Sequence, residues 1–183
     1  MQITILNGEG EAGSRFESYL FELERRLAAQ GHAMTRLDLA RMNLKGCSGC
    51  FGCWVKTPGI CVKRDDSAIV CRSAIGADLL LLASPMKMGF TSVLLKRSLD
   101  QMIPLLHPYF CFEGGEIHHR ARYQHYPQMG LLLGVGDDCD EEDVEITTRI
   151  WQRTARNLKA SLVLVATTNQ EMDEVAHELA GIA

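Results

Sequence analysis

No apolar run in this 183-residue chain is longer than a β-strand; Leu79 to Ala83 is typical of the longest, against the roughly 18 residues a membrane-spanning helix needs. Positive charge is not in excess either. The 19 Lys and Arg against 23 Asp and Glu leave a formal net charge of -4, without the basic balance that selects nucleic acid or an anionic membrane as partner. Secretory leader pattern, internal repeat, low-complexity tract and Pro/Gly/Ser linker are all missing. The expectation is one soluble, cytoplasmic domain over residues 1–183, long enough to bury a core without metal or disulfides. Gly-x-Ser-x-Gly is absent and no Ser/His/Asp set can be placed, so hydrolytic chemistry has no support and no catalytic residue is assigned.

What is there is cysteine, seven in all. An odd number in a chain of this length argues against a disulfide framework. Four of them, Cys47, Cys50, Cys53 and Cys61, form the run C-x2-C-x2-C-x7-C within a loop spanning 45–64. Three thiols at steps of three can converge on one compact centre, and thiolates bind iron-sulfur clusters in sets of four. Zinc fits less well, because structural zinc takes its ligands as two separated pairs. Reduced cysteines packing as small hydrophobes remain the competing reading. Lys45, Lys56, Lys63 and Arg64 bracket the run, and positive charge favours thiolates. Cys71, Cys111 and Cys139 are scattered and carry no assigned role.

Periodicity alternates short apolar runs with amphipathic stretches, the pattern of a parallel sheet covered on both faces. Strands are expected over Gln2 to Leu6, Met34 to Asp38, Asp78 to Ala83, Met129 to Gly134 and Ser161 to Thr167. The first helix opens on a capping box, Ser14 with Glu17, and sets Phe16, Leu20, Leu23 and Leu27 on one face. A second runs from an N-cap at Asp66 to Gly76, and a third from Ser92 to Ile103 before Pro104. Two more start at Asp140 and Asn169. Five strands alternating with five helices imply an α/β, flavodoxin-like, doubly wound five-stranded parallel sheet of order 2-1-3-4-5 in a three-layer α/β/α arrangement.

Ligands of such sheets sit outside the carboxyl ends of the strands, which singles out the loops after strands one, three and four. The first, Asn7 to Arg15, leads straight into a helix. Gly8, Gly10 and Gly13 let backbone approach an anion, while Ser14 and Arg15 add a hydroxyl and a charge. Against a phosphate there stand Glu9 and Glu11: two like charges about 4 Å apart at an effective dielectric of about 20 repel by about 4 kcal/mol. The loop after strand three, Ser84, Pro85, Met86, Lys87, Met88, Gly89, Phe90 and Thr91, mixes backbone amides with soft apolar side chains suited to the edge and faces of a flat ring system.

Gly46 to Trp54 with Lys56 to Gly59, Cys61 and Asp65-Asp66, together with Ser84-Pro85 and Leu95 to Asp100, resembles the NAD(P)H-dependent FMN reductase and iron-sulfur flavoprotein group over nearly the whole chain. The resemblance implies a flavodoxin-like fold and FMN at the strand ends, its phosphate on Gly8 to Arg15 and its ring on Ser84 to Thr91. It also implies NAD(P)H as electron donor, an electron acceptor of unstated identity, and a homo-oligomer, dimer or tetramer. On the same footing, Cys47, Cys50, Cys53 and Cys61 match the arrangement that holds a 4Fe-4S cluster, to which the flavin would relay electrons. The first loop departs from the group's Gly-Ser-Pro-Arg by reading Gly8, Glu9, Gly10, Glu11. That departure motivates the alternative, a cofactor-poor thiol redox or metal-sensing module. Residues 107–127, rich in His and Tyr, have no place in the sheet and are expected to form an arm or lid, or a plain surface hairpin.

Overall fold

Two periodicities divide the labour in this chain, and the computed structural model, which describes residues 1–182, shows where each leads. Strand β1 (Gln2–Asn7) is buried on both faces from Ile3 onward, as a central parallel strand must be. It pairs in parallel with β2 (Ala33–Asp38) and β3 (Leu79–Lys87); β3 pairs with β7 (Gln128–Gly134), and β7 with β8 (Leu162–Thr167). The parallel order is β2-β1-β3-β7-β8.

One expectation is corrected here. The sheet has six strands rather than five, because β4 (Phe90–Thr91) folds back antiparallel on the end of β3. Further strands, β5 (Leu106–Glu113) and β6 (Glu116–Ala121), form a separate antiparallel hairpin that accounts for most of the arm. Its turn, Gly114-Gly115, has positive φ at both positions, 59° and 82°, the geometry of the tight hairpin loop that matches strand twist.

Helices cover both faces. The apolar stripe of α1 (Arg15–Ala29), Phe16, Leu20, Leu23 and Leu27, packs with Val175, Ala176 and Leu179 of α6 (Met172–Ala180) against Ile3, Ile5, Leu79 and Leu81. On the other face, α3 (Ser67–Ile75), α4 (Val93–Asp100) and α5 (Glu141–Asn157) bury Val70, Leu95 and Trp151 against Leu6, Leu80, Leu82 and Leu131. A one-turn helix α2 (Gly52–Val55) lies within the cysteine segment. No helix among the described residues is long and apolar enough to cross a membrane.

Several helix ends differ from expectation for local reasons. Ser14 caps α1 by accepting from Glu17 N at 3.0 Å, but the Glu17 carboxylate turns to Gly13 N at 2.6 Å, not to Ser14. Asp65, not Asp66, accepts from the Ser67 N–H and hydroxyl at the start of α3, while Asp66 accepts from Asn43 N. The helix expected from Ser92 to Ile103 ends at Asp100, and a separate 3-10 turn over Ile103–Leu105 contains Pro104, which cannot supply the next helical N–H. That expected at Asn169 starts at Met172, because Gln170 folds a turn back onto Thr167 through both its backbone N–H and its side-chain oxygen.

Candidate functional site

The carboxyl ends of β1, β3, β7 and β8 open onto a crevice of about 520 Å³, within the range of organic-ligand pockets. Its walls come from the first loop and the start of α1 (Glu9, Glu11, Ser14, Arg15, Phe16, Tyr19), from the end of β3 (Pro85, Met86, Lys87), and from Gly134–Asp138 and Thr168-Asn169. Topology points to the loop after β7 without singling out its residues; the signal within it is Gly134-x-Gly136 followed by Asp137 and Asp138. Gly134 has a steric reason to be glycine: a Cβ there would lie 2.4 Å from the Phe16 ring, so it is what lets α1 approach β7. The balance is acidic. Glu9, Glu11, Asp137 and Asp138 face Arg15 and Lys87.

Much of the first loop is engaged by its own carboxylates. Glu9 Oε1 accepts from Gly10 N at 2.8 Å and Glu11 N at 2.9 Å, and Glu9 Oε2 accepts from the Ser14 hydroxyl at 2.7 Å. Gly13 N donates to Glu17, and Glu9 N donates to Asn7 Oδ1 at 3.1 Å. Gly8 plays a packing role: its N–H donates to Ala83 O at 2.7 Å, its C=O accepts from Ser92 Oγ at 2.7 Å, and a Cβ would lie 2.7 Å from that same oxygen. A phosphate that takes the Gly10, Glu11 and Gly13 amides and the Ser14 hydroxyl must therefore displace carboxylates first, while the backbone N–H groups of Arg15 and Phe16 at the start of α1 hold no carboxylate. The Arg15 and Glu11 side chains also line the crevice, and neither takes part in the loop's hydrogen bonds or ion pairs.

The segment expected as an open ring-binding loop is a strand end and a tight hairpin. Ser84, Pro85, Met86 and Lys87 continue β3, Phe90 and Thr91 are β4, and Met88-Gly89 form the two-residue turn with φ of 51° and 74°. That geometry is the one favoured between twisted strands. Methionine is a rare choice for it, which is why the sequence did not announce a hairpin. The outcome separates the residues. Ser84 is fully buried, accepting from Ser92 N and donating to Pro85 O, and Met86 packs in the core with Leu82 and Leu95 while also forming part of the crevice wall. Met88 is 95% exposed, and Gly89 and Thr91 turn toward α5, with Thr147 Oγ1 donating to Gly89 O at 3.1 Å. Only Pro85, Met86 and Lys87 of this segment reach the crevice.

The four cysteines of the run converge. Cys47, Cys50, Cys53 and Cys61 all line one recess of about 30 Å³, closed from behind by Gln101, Ile103 and Pro104. The chain is turned inward by left-handed backbone at Gly49 (φ 64°) and Phe51 (φ 54°). Gly52 lets Val62 close over it: a Cβ would lie 2.6 Å from Val62 Cγ1. Asp65 ties the loop down by accepting from Lys45 N at 3.0 Å and Gln101 Nε2 at 2.9 Å, and Lys63 donates to Gly46 O. Burial opposes the Asp65 charge, yet these bonds and those from Ser67 hold its carboxyl below the usual range.

The thiols are unlike one another. Backbone donation from Gly52, then the Ser48 hydroxyl, lowers the Cys50 thiol, whereas burial and the neighbouring Cys61, Cys47 and Cys50 raise that of Cys53. Cys71, behind the recess, is pushed up to about 12 by burial. Among the described residues no group of three or more His, Cys, Asp or Glu is placed to hold a single metal ion. Four cysteines on one recess are the number of thiolates an iron-sulfur cluster takes.

Recess and crevice share no lining residue. The recess lies beside the end of α4, on the α3/α4/α5 side of the sheet, and the crevice is walled by α1. What the recess does touch is the hairpin. Phe51 stacks on Trp54 with centroids 5.3 Å apart, Trp54 and Phe110 each meet His119 at 4.8 Å, and Trp54 Nε1 donates to Leu106 O at 2.9 Å. Glu116 anchors the hairpin to α5 through Arg153 and Arg156; the Arg153 guanidinium draws its carboxyl down to about 2.

No family model matches the chain. Among curated proteins it is similar to an iron-sulfur flavoprotein of Archaeoglobus fulgidus, 30% identical over 98 residues, which are 54% of this chain and 42% of that protein. The chain thus matches less than half the length of that relative. Among solved structures it superposes on an NAD(P)H:quinone oxidoreductase from Methanothermobacter marburgensis with a TM-score of 0.64 at 17% identity, covering 98% of this chain and 95% of that one. An FMN-dependent NADH-azoreductase from Bacillus anthracis, in complex with FMN, gives 0.65 at 12% identity, covering 100% and 96%. The resemblance read from the cysteine segment is borne out to this extent: a curated relative is an iron-sulfur flavoprotein, and the chain has the flavodoxin-like fold that solved NAD(P)H- and NADH-dependent reductases share.

Proposed function

We propose that this protein is a NAD(P)H-dependent oxidoreductase of the FMN-reductase kind, working in the crevice at the carboxyl ends of β1, β3, β7 and β8. One observation carries the reading: a crevice of about 520 Å³ at the switch point of a doubly wound sheet, on a fold shared with an azoreductase solved in complex with FMN. A flavin bound there supplies hydride acceptance from a nicotinamide and onward electron transfer. The chain's own residues do the holding. Phe16 and Tyr19 offer apolar surface, Pro85 to Lys87 form the wall against which a ring system lies, and Arg15 and Lys87 offer charge to anionic parts of the ligands. The relatives do not favour a cofactor-poor thiol module. The test is a titration of the purified protein with FMN followed by NADH and NADPH oxidation. Quenching of flavin fluorescence with nicotinamide turnover is expected; absence of both sinks the reading.

Two further parts belong to the same proposal. Cys47, Cys50, Cys53 and Cys61 hold a 4Fe-4S cluster in the recess, supported by the convergence of all four thiols and by the name of the curated relative. Anaerobic purification with iron and sulfide analysis, expected to return about four of each per chain, decides it. A second copy of this chain covers the hairpin's outer face, where Tyr109, Phe110, Phe112 and Ile117 are between 63% and 77% exposed. Light scattering at micromolar protein is expected to give a dimer or tetramer, and a monomer would remove this part alone.

A further inference from the structure

The first loop contains an anion nest that the chain fills by itself. Four donors are involved: the backbone N–H groups of Gly10, Glu11 and Gly13, and the Ser14 hydroxyl just before α1. In a phosphate-binding strand-to-helix turn such groups point at the ligand's oxygens. Here Glu9 presents two carboxylate oxygens to three of them, at 2.8, 2.9 and 2.7 Å, and Glu17 takes the fourth at 2.6 Å. These are the short, charge-assisted bonds a phosphate would make. Glu9 also lines the crevice, so the filled nest and the proposed ligand site are contiguous. A second carboxylate, Glu11, stands beside it, and Asp137 and Asp138 face it from the β7 loop. An incoming phosphate monoester must first evict Glu9 and then sit among these charges.

Resting on the flavin reading above, we propose that Glu9 is a built-in surrogate for the ligand's phosphate. The crevice therefore recognises a flavin by its ring and sugar-alcohol chain, gains no affinity from the 5′-phosphate, and exchanges the flavin as a visiting substrate. A dephosphorylated flavin leaves Glu9 undisturbed. FMN meets a nest that is already closed.

The measurement is the dissociation constant of FMN and of riboflavin, by fluorescence quenching, for the unaltered protein, for Glu9→Ala and for Glu9→Gln, which keeps the side chain's length should the alanine variant fold poorly. The unaltered protein is expected to bind the two flavins within about threefold of each other, and opening the nest to tighten FMN by about tenfold or more while riboflavin stays constant. Tighter binding of FMN than riboflavin by about tenfold in the unaltered protein, or FMN affinity indifferent to Glu9, overturns the proposal. Inorganic phosphate, titrated against the amide signals of Gly10 and Glu11, gives an arm that needs no flavin: shifts are expected only in the Glu9 variants. If neither flavin binds any of the proteins, the flavin reading falls. Phosphate shifts of equal size in the unaltered protein would still overturn the filled nest.

Discussion

The crevice and the cysteine recess are opposites in how their polar groups are satisfied. At the crevice three amides and the Ser14 hydroxyl of the first loop are engaged by Glu9 and Glu17, so these donors have counterparts without a ligand. At the recess four cysteines line one small space, with burial and neighbouring thiols pushing the Cys53 thiol up. A site that has supplied its own counterpart charges any newcomer for displacing it. A site whose groups oppose one another gains when a cation arrives. Strong binding is thus expected at the smaller cavity and exchangeable binding at the larger, so volume alone ranks them wrongly.

The largest effect that tests this contrast is loss of iron. Cys53→Ser is expected to abolish iron and sulfide content after anaerobic purification, while Cys71→Ser, behind the recess and hydrogen-bonded through its thiol to Gln101 O at 3.4 Å, leaves both in place. Equal loss in both variants would mean that the recess does not distinguish its thiols.

Next come the glycines that shape each wall. Gly134→Ala puts a Cβ 2.4 Å from the Phe16 ring and Gly52→Ala one 2.6 Å from Val62, and each is expected to destabilise by about 1–3 kcal/mol in denaturant unfolding, as overpacking does. Gly49→Ala meets nothing within 4 Å but sits at φ 64°, so only the backbone cost of about 1 kcal/mol is expected.

Thiol chemistry sharpens the comparison within the recess. In metal-free protein near pH 8, alkylation is expected to modify the exposed Cys50 well ahead of the buried Cys53, since Gly52 and Ser48 hold the Cys50 thiol down while burial raises that of Cys53, and Cys71 resists because burial pushes it up to about 12. Peptide mass mapping over time checks the order, and early labelling of Cys71 would contradict its burial.

The smallest effect concerns the hairpin that carries Trp54's partner carbonyl. The Glu116 carboxyl is lowered to about 2 in the folded protein, so its contribution is fully present above the ordinary glutamate value of 4.5 and is lost as pH falls toward about 2. Amide exchange in β6 is expected to rise through that window, and Glu116→Gln to flatten the dependence. Because the group is exposed, the gain is modest.

Much of this was legible in the chain. Leu79 to Ala83 has no polar residue in five, which suits only a strand buried on both faces, and the Phe16, Leu20, Leu23, Leu27 spacing leaves α1 one way to lie on the sheet. The cysteine spacing brought its four thiols to one recess. Other features were not legible for identifiable reasons. Met88 adopting positive φ broke no rule absolutely but matched no hairpin signal, so β4 went unread. Thr168 and Asn169 reach the crevice only because β8 sits beside β7, a fact about strand neighbours rather than neighbours in sequence.

By itself the sequence determined the five parallel strands, the apolar faces of the main helices, the parallel sheet order and the clustering of cysteine, because each follows from periodicity or from spacing over a few residues. Tertiary structure alone decided where charges and walls ended up. Glu9 could have pointed to solvent, and its acidity looked like a mere obstacle to phosphate; folding back onto Gly10, Glu11 and Ser14 made it an occupant instead. Its place after the second strand puts the cysteine loop beside the expected crevice, yet recess and crevice share no lining residue, because the sheet carries α1 on one face and α3, α4 and α5 on the other. A side chain's rotamer and a helix's face are chosen by packing against residues far away in the chain, and local sequence does not encode that choice.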